Sequence, residues 1–246
     1  MGEEYNSTLQ TEQKGVLSML LNLLFSRNID FMSVIVYIIS SLLVIFLVLP
    51  FHEFAHGFVA YKLGDRTAKN SGRLSLNPIA HIDYMGAMLL LIIGFGWAKP
   101  VPIDDRNFKN PKAGMAITAL AGPVANLIAA IVAGLLCNTI IAVVGITTIL
   151  TSMFWQYVIL FFQYLMIINT SLAVFNLIPI PPLDGSKILM AFLPDKVVYK
   201  IYQYERYFSV FLFVIIMIVS RSGILTGIQN IFLDFIQWLT ALPFGF

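Results

Sequence analysis

Charged residues are scarce in this chain. Its 246 residues include 15 Lys and Arg and 13 Asp and Glu, 11% of the total, against 59% hydrophobic residues. The mean hydropathy is +0.85. Soluble domains carry about 25% charged residues, so this composition excludes a soluble globular protein of this length. It predicts an all-α polytopic membrane protein.

Cysteine and a large net charge are also lacking. The single cysteine, Cys137, lies in an apolar run and excludes an internal disulfide. A net charge of +2 is too small to indicate a nucleic-acid partner. The first residues carry Glu3, Glu4 and Glu12 with no basic region and no small-residue cleavage site, so we expect no signal peptide.

Long apolar runs predict the helices that cross the membrane. A hydrocarbon core of about 30 Å needs about 20 apolar residues in a helix. Runs that predict a crossing occupy residues 33–62, 113–136, 155–178 and 207–221. Three further apolar runs occupy residues 16–26, 85–96 and 224–242. They are predicted either to cross the membrane, to dip into it or to lie at its interface. Together they predict a transmembrane helix bundle that forms one integral membrane domain, residues 1–246.

Basic residues collect at one end of the predicted spans. Those that follow the first run or precede the next are Lys62, Arg66, Lys69, Arg73, Lys99, Arg106, Lys109 and Lys112. The connection at residues 138–154 has no charge at all. Because cytoplasmic loops carry an excess of Lys and Arg, we expect a multi-pass protein of the cell membrane with this basic end in the cytoplasm.

Two segments between these basic residues are predicted to be extended. Residues 73–77 alternate like a strand, and residues 97–103 have prolines at alternate positions, which excludes a helix. We expect them to form a small membrane-associated β-hairpin or edge sheet. The run at 85–96 between them is short for a span and is predicted to be a re-entrant loop.

Two of the chain's three histidines form a short motif in the first span. Residues 52–56 read H-E-F-A-H, and on a helix this spacing places His52 and His56 on one face. Neutral imidazoles suit Zn²⁺, and Glu53 beside them suits a general base. Ionisable groups at membrane depth cost about 2.5 kcal/mol or more unless paired or ligated, which favours a metal site. We predict one Zn²⁺ per chain, near the cytoplasmic face.

A hydrolytic zinc site needs a third protein ligand. Asp184 is the best candidate, since it follows a proline-broken stretch at the cytoplasmic end of the third span. The same Asp184-Gly185 pair is also typical of an ordinary turn. His81 is the competing ligand, although its surroundings in the sequence suggest a loop.

Two asparagines lie within or at the end of predicted spans. Asn126 is in the middle of the second span, and Asn176 ends the third. A buried amide in lipid needs partners. Either side chain is suited to donate to the oxyanion of a peptide under attack, and hydrogen bonding between helices is an equally good interpretation.

Three ordered motifs together resemble the site-2 protease family of intramembrane zinc metalloproteases. Residues 52–56 read H-E-F-A-H, residues 122–126 read G-P-V-A-N, and residues 176–185 read N-L-I-P-I-P-P-L-D-G. Residues 72–83 and 96–102 are similar to the compact prokaryotic branch that lacks PDZ and CBS domains. The resemblance implies zinc ligands at His52, His56 and Asp184 and a catalytic base at Glu53. It also implies that Asn126 and Asn176 position the substrate or its oxyanion.

The implied reaction is hydrolysis of a peptide bond within or near a transmembrane segment of a membrane-protein substrate, in regulated intramembrane proteolysis. Because a helical backbone has no free carbonyl, the substrate must unwind and be held as an added strand. The residues expected to hold it are Leu74, Ser75, Leu76, Trp97, Lys99 and Val101. The alternative is a membrane metal-binding protein without hydrolytic activity, a transporter or a scaffold. The near absence of charge elsewhere in the spans argues against transport.

Overall fold

The computed structural model describes residues 30–93, 96–204 and 223–245. The helices that matter below are α1 (Phe31–Lys62), α2 (Tyr84–Ile93), α3 (Pro111–Val144), α4 (Met153–Asn176), α5 (Asp184–Met190) and α6 (Ile224–Ala241). Short helices and 3-10 turns occupy Thr67–Asn70, Pro78–His81, Asp105–Asn107, Ile146–Thr151 and Leu242–Phe244. Residues 195–204 are also helical.

Three of these helices, α1, α3 and α4, are long and apolar enough to cross a membrane. They occupy the regions where the runs at 33–62, 113–136 and 155–178 predicted crossings. The predicted all-helical membrane bundle is therefore confirmed. The predicted span at 207–221 and the run at 16–26 lie outside the described residues. The run at 224–242 forms α6, which is not among the candidate spans.

Helix α3 is the packing centre of the described bundle. It contacts α1, α4, α5 and α6, and small residues on its faces allow these close approaches. Ala130 and Ala133 are buried in the main hydrophobic core. Gly134 packs so closely against Thr240 of α6 that an added Cβ would lie 2.9 Å from its hydroxyl oxygen.

Helix α1 contains a π-helical turn, Val44–Val48, directly before Pro50. The N–H of Leu49 donates to the carbonyl of Val44, five residues back. Proline has no N–H, so the regular bond pattern fails at this point, and the wider turn accommodates the break. The regular α-helix is thus interrupted by a π turn directly before Pro50.

The predicted β-hairpin is wrong, since the described residues contain no strand. Residues 97–103 have no regular secondary structure and do not form a ladder with residues 73–77. Pro100 and Pro102 supply no N–H, which removes the donors that a ladder needs. A side chain links the two segments instead. The Arg73 guanidinium donates to the carbonyls of Lys99 (2.9 Å) and Pro100 (3.2 Å).

The re-entrant loop predicted for 85–96 is not supported: Tyr84–Ile93 is the helix α2, and residues 94–95 lie outside the described part of the chain. Only Gly86 within it weakens a helix. The Asp83 carboxylate caps its first turn by accepting from the N–H of Gly86 at 2.9 Å. An added Cβ at Gly86 would overlap the backbone of Trp97, so the absence of a side chain at this position brings the extended segment against α2.

Candidate metal centre

Three potential ligand atoms meet between α1 and α5. His52 Nε2 and His56 Nε2, one turn apart on α1, are separated by 3.1 Å. Asp184 Oδ2, at the first residue of α5, lies 3.4 Å from the first and 3.2 Å from the second. All three residues are buried. Two imidazoles and a carboxylate therefore form a compact triangle inside the protein.

The size and chemistry of this triangle fit zinc. Tetrahedral Zn²⁺ with bonds of about 2.0–2.1 Å to nitrogen and oxygen has neighbouring ligand atoms about 3.3 Å apart. The three observed separations, 3.1, 3.2 and 3.4 Å, bracket that value. Two neutral imidazoles and one carboxylate are also a ligand set found in hydrolytic zinc sites, where the fourth position stays open.

The orientation of His56 is set by α3. Its Nδ1 lies 2.7 Å from the carbonyl oxygen of Thr118, and a carbonyl can only accept, so Nδ1 carries the proton. The lone pair is then on Nε2, which faces the other two ligand atoms. Nδ1 of His52 has no hydrogen-bond partner in the part of the chain that the structure describes.

Gly122 of α3 lies against both imidazoles. An added Cβ at this position would overlap His56 Nε2 and lie 2.5 Å from His52 Nε2. A side chain here would enter the space between the ligand atoms. The glycine of the G-P-V-A-N motif is therefore part of the site, because it lets α3 approach close enough for Thr118 to hold His56.

Asp184 is brought to the histidines by the packing of α5 on the chain that follows α4. An added Cβ at Gly185 would overlap the carbonyl oxygen of Leu177. Lys187 lies one turn further along α5, with Nζ 3.6 Å from Asp184 Oδ1. One carboxylate oxygen thus faces the histidines and the other faces a cation.

His81, the competing ligand, is elsewhere. It is fully buried, and its Nε2 lies 2.7 Å from the carbonyl oxygen of Ser75. Its own carbonyl accepts from the N–H of Lys99 at 2.7 Å. These contacts place His81 in the packing of the loop before α2, and the structure joins Asp184 to the two α1 histidines.

Glu53 is buried beside the triangle. Atoms of His52, Glu53 and His56 lie within 4.8 Å of one another. Glu53 Oε2 accepts from the N–H of Val101 at 2.9 Å. A carboxylate adjacent to the ligand atoms and held by a backbone donor is well placed to act as a general base.

A cavity of about 180 Å³ opens beside these groups. Besides His52, Glu53, His56 and Asp184, the residues that line it include Trp97, Pro100, Val101, Phe175, Asn176 and Lys187. Two residues predicted to hold substrate, Trp97 and Val101, are therefore at the cavity. The others predicted for that role are not among its lining residues: Leu74, Ser75, Leu76 and Lys99.

The two asparagines have different surroundings. Asn176 lines the cavity, and its side-chain amide donates to the carbonyl of Leu172 at 3.0 Å. Asn126 is fully buried one turn beyond Gly122 on α3. Neither polar atom of the Asn126 side chain has a hydrogen-bond partner among the described residues.

Sequence reasoning missed three contributors to this site: Gly122 as a contact, the Thr118 carbonyl and Lys187. Gly122 stood in a quoted motif, but its helix is crowded with small residues, and nothing marked this one as the contact. A backbone carbonyl gives no sequence signal. A single lysine three residues after Asp184 gives no sequence signal either, and its position on the same helix as Asp184 is what pairs them.

Several known proteins are similar to this chain in sequence. Residues 134–220 match Peptidase family M50. The chain is 42% identical over 182 residues to "Putative zinc metalloprotease YwhC" of Bacillus subtilis, covering 74% of this chain and 80% of that protein. Two proteins named "Putative zinc metalloprotease Rip2" are each 28% identical. The match to the Mycolicibacterium smegmatis protein covers 65% of this chain and 58% of that protein. The match to the Mycobacterium tuberculosis protein covers 72% of this chain and 66% of that protein. No solved structure was found to match.

Proposed function

The chain belongs to peptidase family M50, and from this premise we propose how its residues carry out intramembrane zinc proteolysis. It is a zinc metalloprotease of the site-2 protease type. The observation that carries the mechanism is the meeting of His52, His56 and Asp184 at 3.1–3.4 Å beside the buried Glu53. This site lies among helices apolar enough to cross a bilayer.

The ligands that would hold zinc are His52, His56 and Asp184. When bound, zinc supplies a Lewis acid and lowers the pKa of a water toward about 7. Glu53 accepts the proton from the attacking water and passes it to the leaving amine. The Thr118 carbonyl keeps His56 in the tautomer that leaves Nε2 free.

Asn176 and Asn126 are proposed to act on the substrate. Asn176 lines the cavity, and its amide is suited to donate to the oxyanion that develops on the scissile carbonyl. Asn126 has both side-chain atoms unpartnered within the described chain. An unpaired buried amide costs roughly 1–3 kcal/mol, so a substrate backbone that satisfied it would be bound more tightly.

The substrate is proposed to be a transmembrane segment of another protein, unwound to expose its carbonyls. Trp97, Pro100, Val101 and Ile103 line the cavity. An unwound segment would lie beside them in an extended conformation. Lys99 and Leu74, Ser75 and Leu76 would contact the parts of the substrate that lie outside the cavity.

We place the enzyme in the cell membrane with its site toward the cytoplasm. The motif is in the C-terminal part of α1, which ends at Lys62. Lys69 and Arg73 follow in the loop beyond it, and positive charge marks cytoplasmic loops. Such a position suits the release of a substrate's cytoplasmic domain, as in regulated intramembrane proteolysis.

The test is cleavage of a panel of single-span peptides by the purified protein in lipid. Wild type should cleave at least one peptide, and Glu53→Gln or a chelator should abolish cleavage. Zinc content should stay at one per chain in Glu53→Gln. Asp234→Asn, the same type of change at an exposed position of α6, is the matched control and should cleave normally. A protein that binds zinc but cleaves no peptide would support the non-catalytic alternative.

A further inference from the structure

We propose that the backbone N–H of Val101 positions the catalytic base Glu53, and that Asp65 anchors the segment that carries this N–H. The proposal rests on the proposed function, because it assigns Glu53 its catalytic role. It adds two positioning groups that neither touch zinc nor belong to the H-E-F-A-H motif.

The bond between Val101 and Glu53 is short and buried. The N–H donates to Oε2 at 2.9 Å, and Val101 and Glu53 are only 6% and 8% exposed. A hydrogen bond to a charged carboxylate is about twice as strong as one between neutral groups. It therefore holds the carboxylate in one orientation toward the zinc ligands.

Two neighbouring prolines single out this N–H. Pro100 and Pro102 have no backbone N–H, so Val101 supplies the one backbone donor of residues 100–102. The fixed φ of both prolines also stiffens the segment around it. The Val101 side chain packs on α1, with Cγ1 3.3 Å from where a Cβ on Gly57 would lie. The donor is held in register with the turn of α1 that carries Glu53.

Asp65 fixes the C-terminal end of the segment that carries Val101. It is fully buried just beyond the end of α1. Its carboxylate accepts from the Thr67 N–H (3.0 Å) and hydroxyl (2.5 Å), the Asp104 N–H (2.9 Å) and the Asn107 amide (2.8 Å). Four donors occupy the acceptor sites of a carboxylate. The Asp104 bond lies three residues after Val101.

The N-terminal end of this segment is fixed by other groups. The Lys99 N–H donates to the His81 carbonyl at 2.7 Å, and Arg73 donates to the Lys99 and Pro100 carbonyls. Val101 is therefore held between two anchors, and Asp65 is the one attached directly to α1. Loss of Asp65 frees the downstream half of the segment and weakens the hold on Glu53.

The expected signature is a lower kcat at an unchanged KM. A misoriented base slows proton transfer, whereas zinc and substrate are held by other groups. Displacement of a catalytic group by about 1 Å costs on the order of 100-fold in rate. Asp65→Asn presents an amide to donors that need an acceptor, and we expect a kcat roughly 10- to 100-fold lower. Asp104→Ala keeps the N–H that donates to Asp65 and removes the half-buried carboxylate, which accepts from the N–H and the guanidinium of Arg106. It should retain wild-type kcat.

The role of the Val101 N–H is tested by comparing a substitution that keeps this N–H with one that removes it. Val101→Ala keeps the N–H, and Val101→Pro removes it in a segment that already contains two prolines. We expect the kcat of Val101→Pro to be roughly 10-fold or more below that of Val101→Ala, with zinc content unchanged in both. If Val101→Pro does not fold, the Asp65→Asn and Asp104→Ala pair decides the proposal.

Hydrogen exchange tests the contacts without substrate. In wild-type protein the Val101 amide should exchange slowly. Glu53→Ala and Asp65→Asn should each accelerate it at least tenfold, and Asp104→Ala should not. Equal exchange in all four proteins, or equal kcat for Asp65→Asn and Asp104→Ala, would overturn the proposal. Failure of wild type to cleave any peptide would count against the proposed function, while the exchange data would still decide whether Val101 and Asp65 hold Glu53.

Discussion

Gly122 of α3 lies directly against the imidazole of His56, in contact with the nitrogen that faces Asp184. No other residue would fit, because an added Cβ would overlap that nitrogen. The contact explains how a transmembrane helix without any metal ligand shapes the centre. It sets the distance between α1 and α3, and that distance allows the Thr118 carbonyl to hold His56.

Gly122→Ala should therefore lower zinc affinity. The new methyl group displaces both imidazoles, and changes to groups that orient zinc ligands typically cost about 10- to 100-fold in affinity. Zinc affinity measured by competition with a chelator is the readout. Gly227→Ala, in a helix position with open space around it, is the matched control and should bind zinc like wild type. Normal zinc affinity in Gly122→Ala would contradict the observed packing.

Asp184→Ala should release zinc, and His81→Ala should not. Removing Asp184 leaves two imidazoles, fewer than the three protein ligands of a hydrolytic zinc site. His81 forms hydrogen bonds with the Ser75 carbonyl, through Nε2, and with the Lys99 N–H, through its own carbonyl. Zinc per chain, measured by metal analysis of the purified proteins, distinguishes the two positions. Zinc loss in His81→Ala with retention in Asp184→Ala would refute the assignment.

The Asp65 anchor should make stability depend on acid pH. Burial raises the pKa of this carboxyl, but hydrogen bonds from Thr67, Asp104 and Asn107 outweigh it and lower the pKa below its usual value. A group with a depressed folded-state pKa stabilises the fold above its unfolded pKa of about 3.9, and that contribution is lost as the pH falls toward the folded pKa. The thermal midpoint of wild type in detergent should fall more steeply below about pH 4 than that of Asp65→Asn. Parallel pH profiles would contradict this.

Gln229 of α6 and Ser171 of α4 should be energetically coupled. The Gln229 amide donates to the Ser171 hydroxyl at 2.8 Å, and Gln229 is buried. Interhelical hydrogen bonds in membrane proteins contribute about 0.6 kcal/mol on average. A double-mutant cycle of Gln229→Met and Ser171→Ala, measured by unfolding in detergent, should give a coupling of that order. The same cycle with Gln237→Met in place of Gln229→Met should give no coupling energy, because Gln237 is at an exposed position on α6.

Some features of the fold could be predicted from local sequence. The apolar runs predicted α1, α3 and α4 because spanning a bilayer requires length and hydropathy, and both can be counted along the chain. The spacing of His52 and His56 predicted that their rings share a face, because helical periodicity alone determines it.

The extended segments show where local pattern misleads. Alternation at 73–77 and at 97–103 predicted a hairpin, and the structure has none in the part that it describes. Strand pairing depends on where the backbone donors are directed. The N–H groups of Lys99 and Val101 are committed to His81 and Glu53. The acceptor to which an N–H outside regular secondary structure donates depends on the tertiary structure.

The sequence by itself determined that the chain lies in a membrane, that α1 carries H-E-F-A-H, and which few residues were able to complete a zinc site. Tertiary structure placed Asp184 and not His81 beside the two histidines, since it brought α5 and not the loop before α2 to them. It also placed Gly122 against the imidazoles, and Val101 and Asp65 where we propose that they hold Glu53. The physical reason is distance along the chain: contacts between residues some 40 to 130 positions apart depend on how helices pack, and no local pattern encodes them.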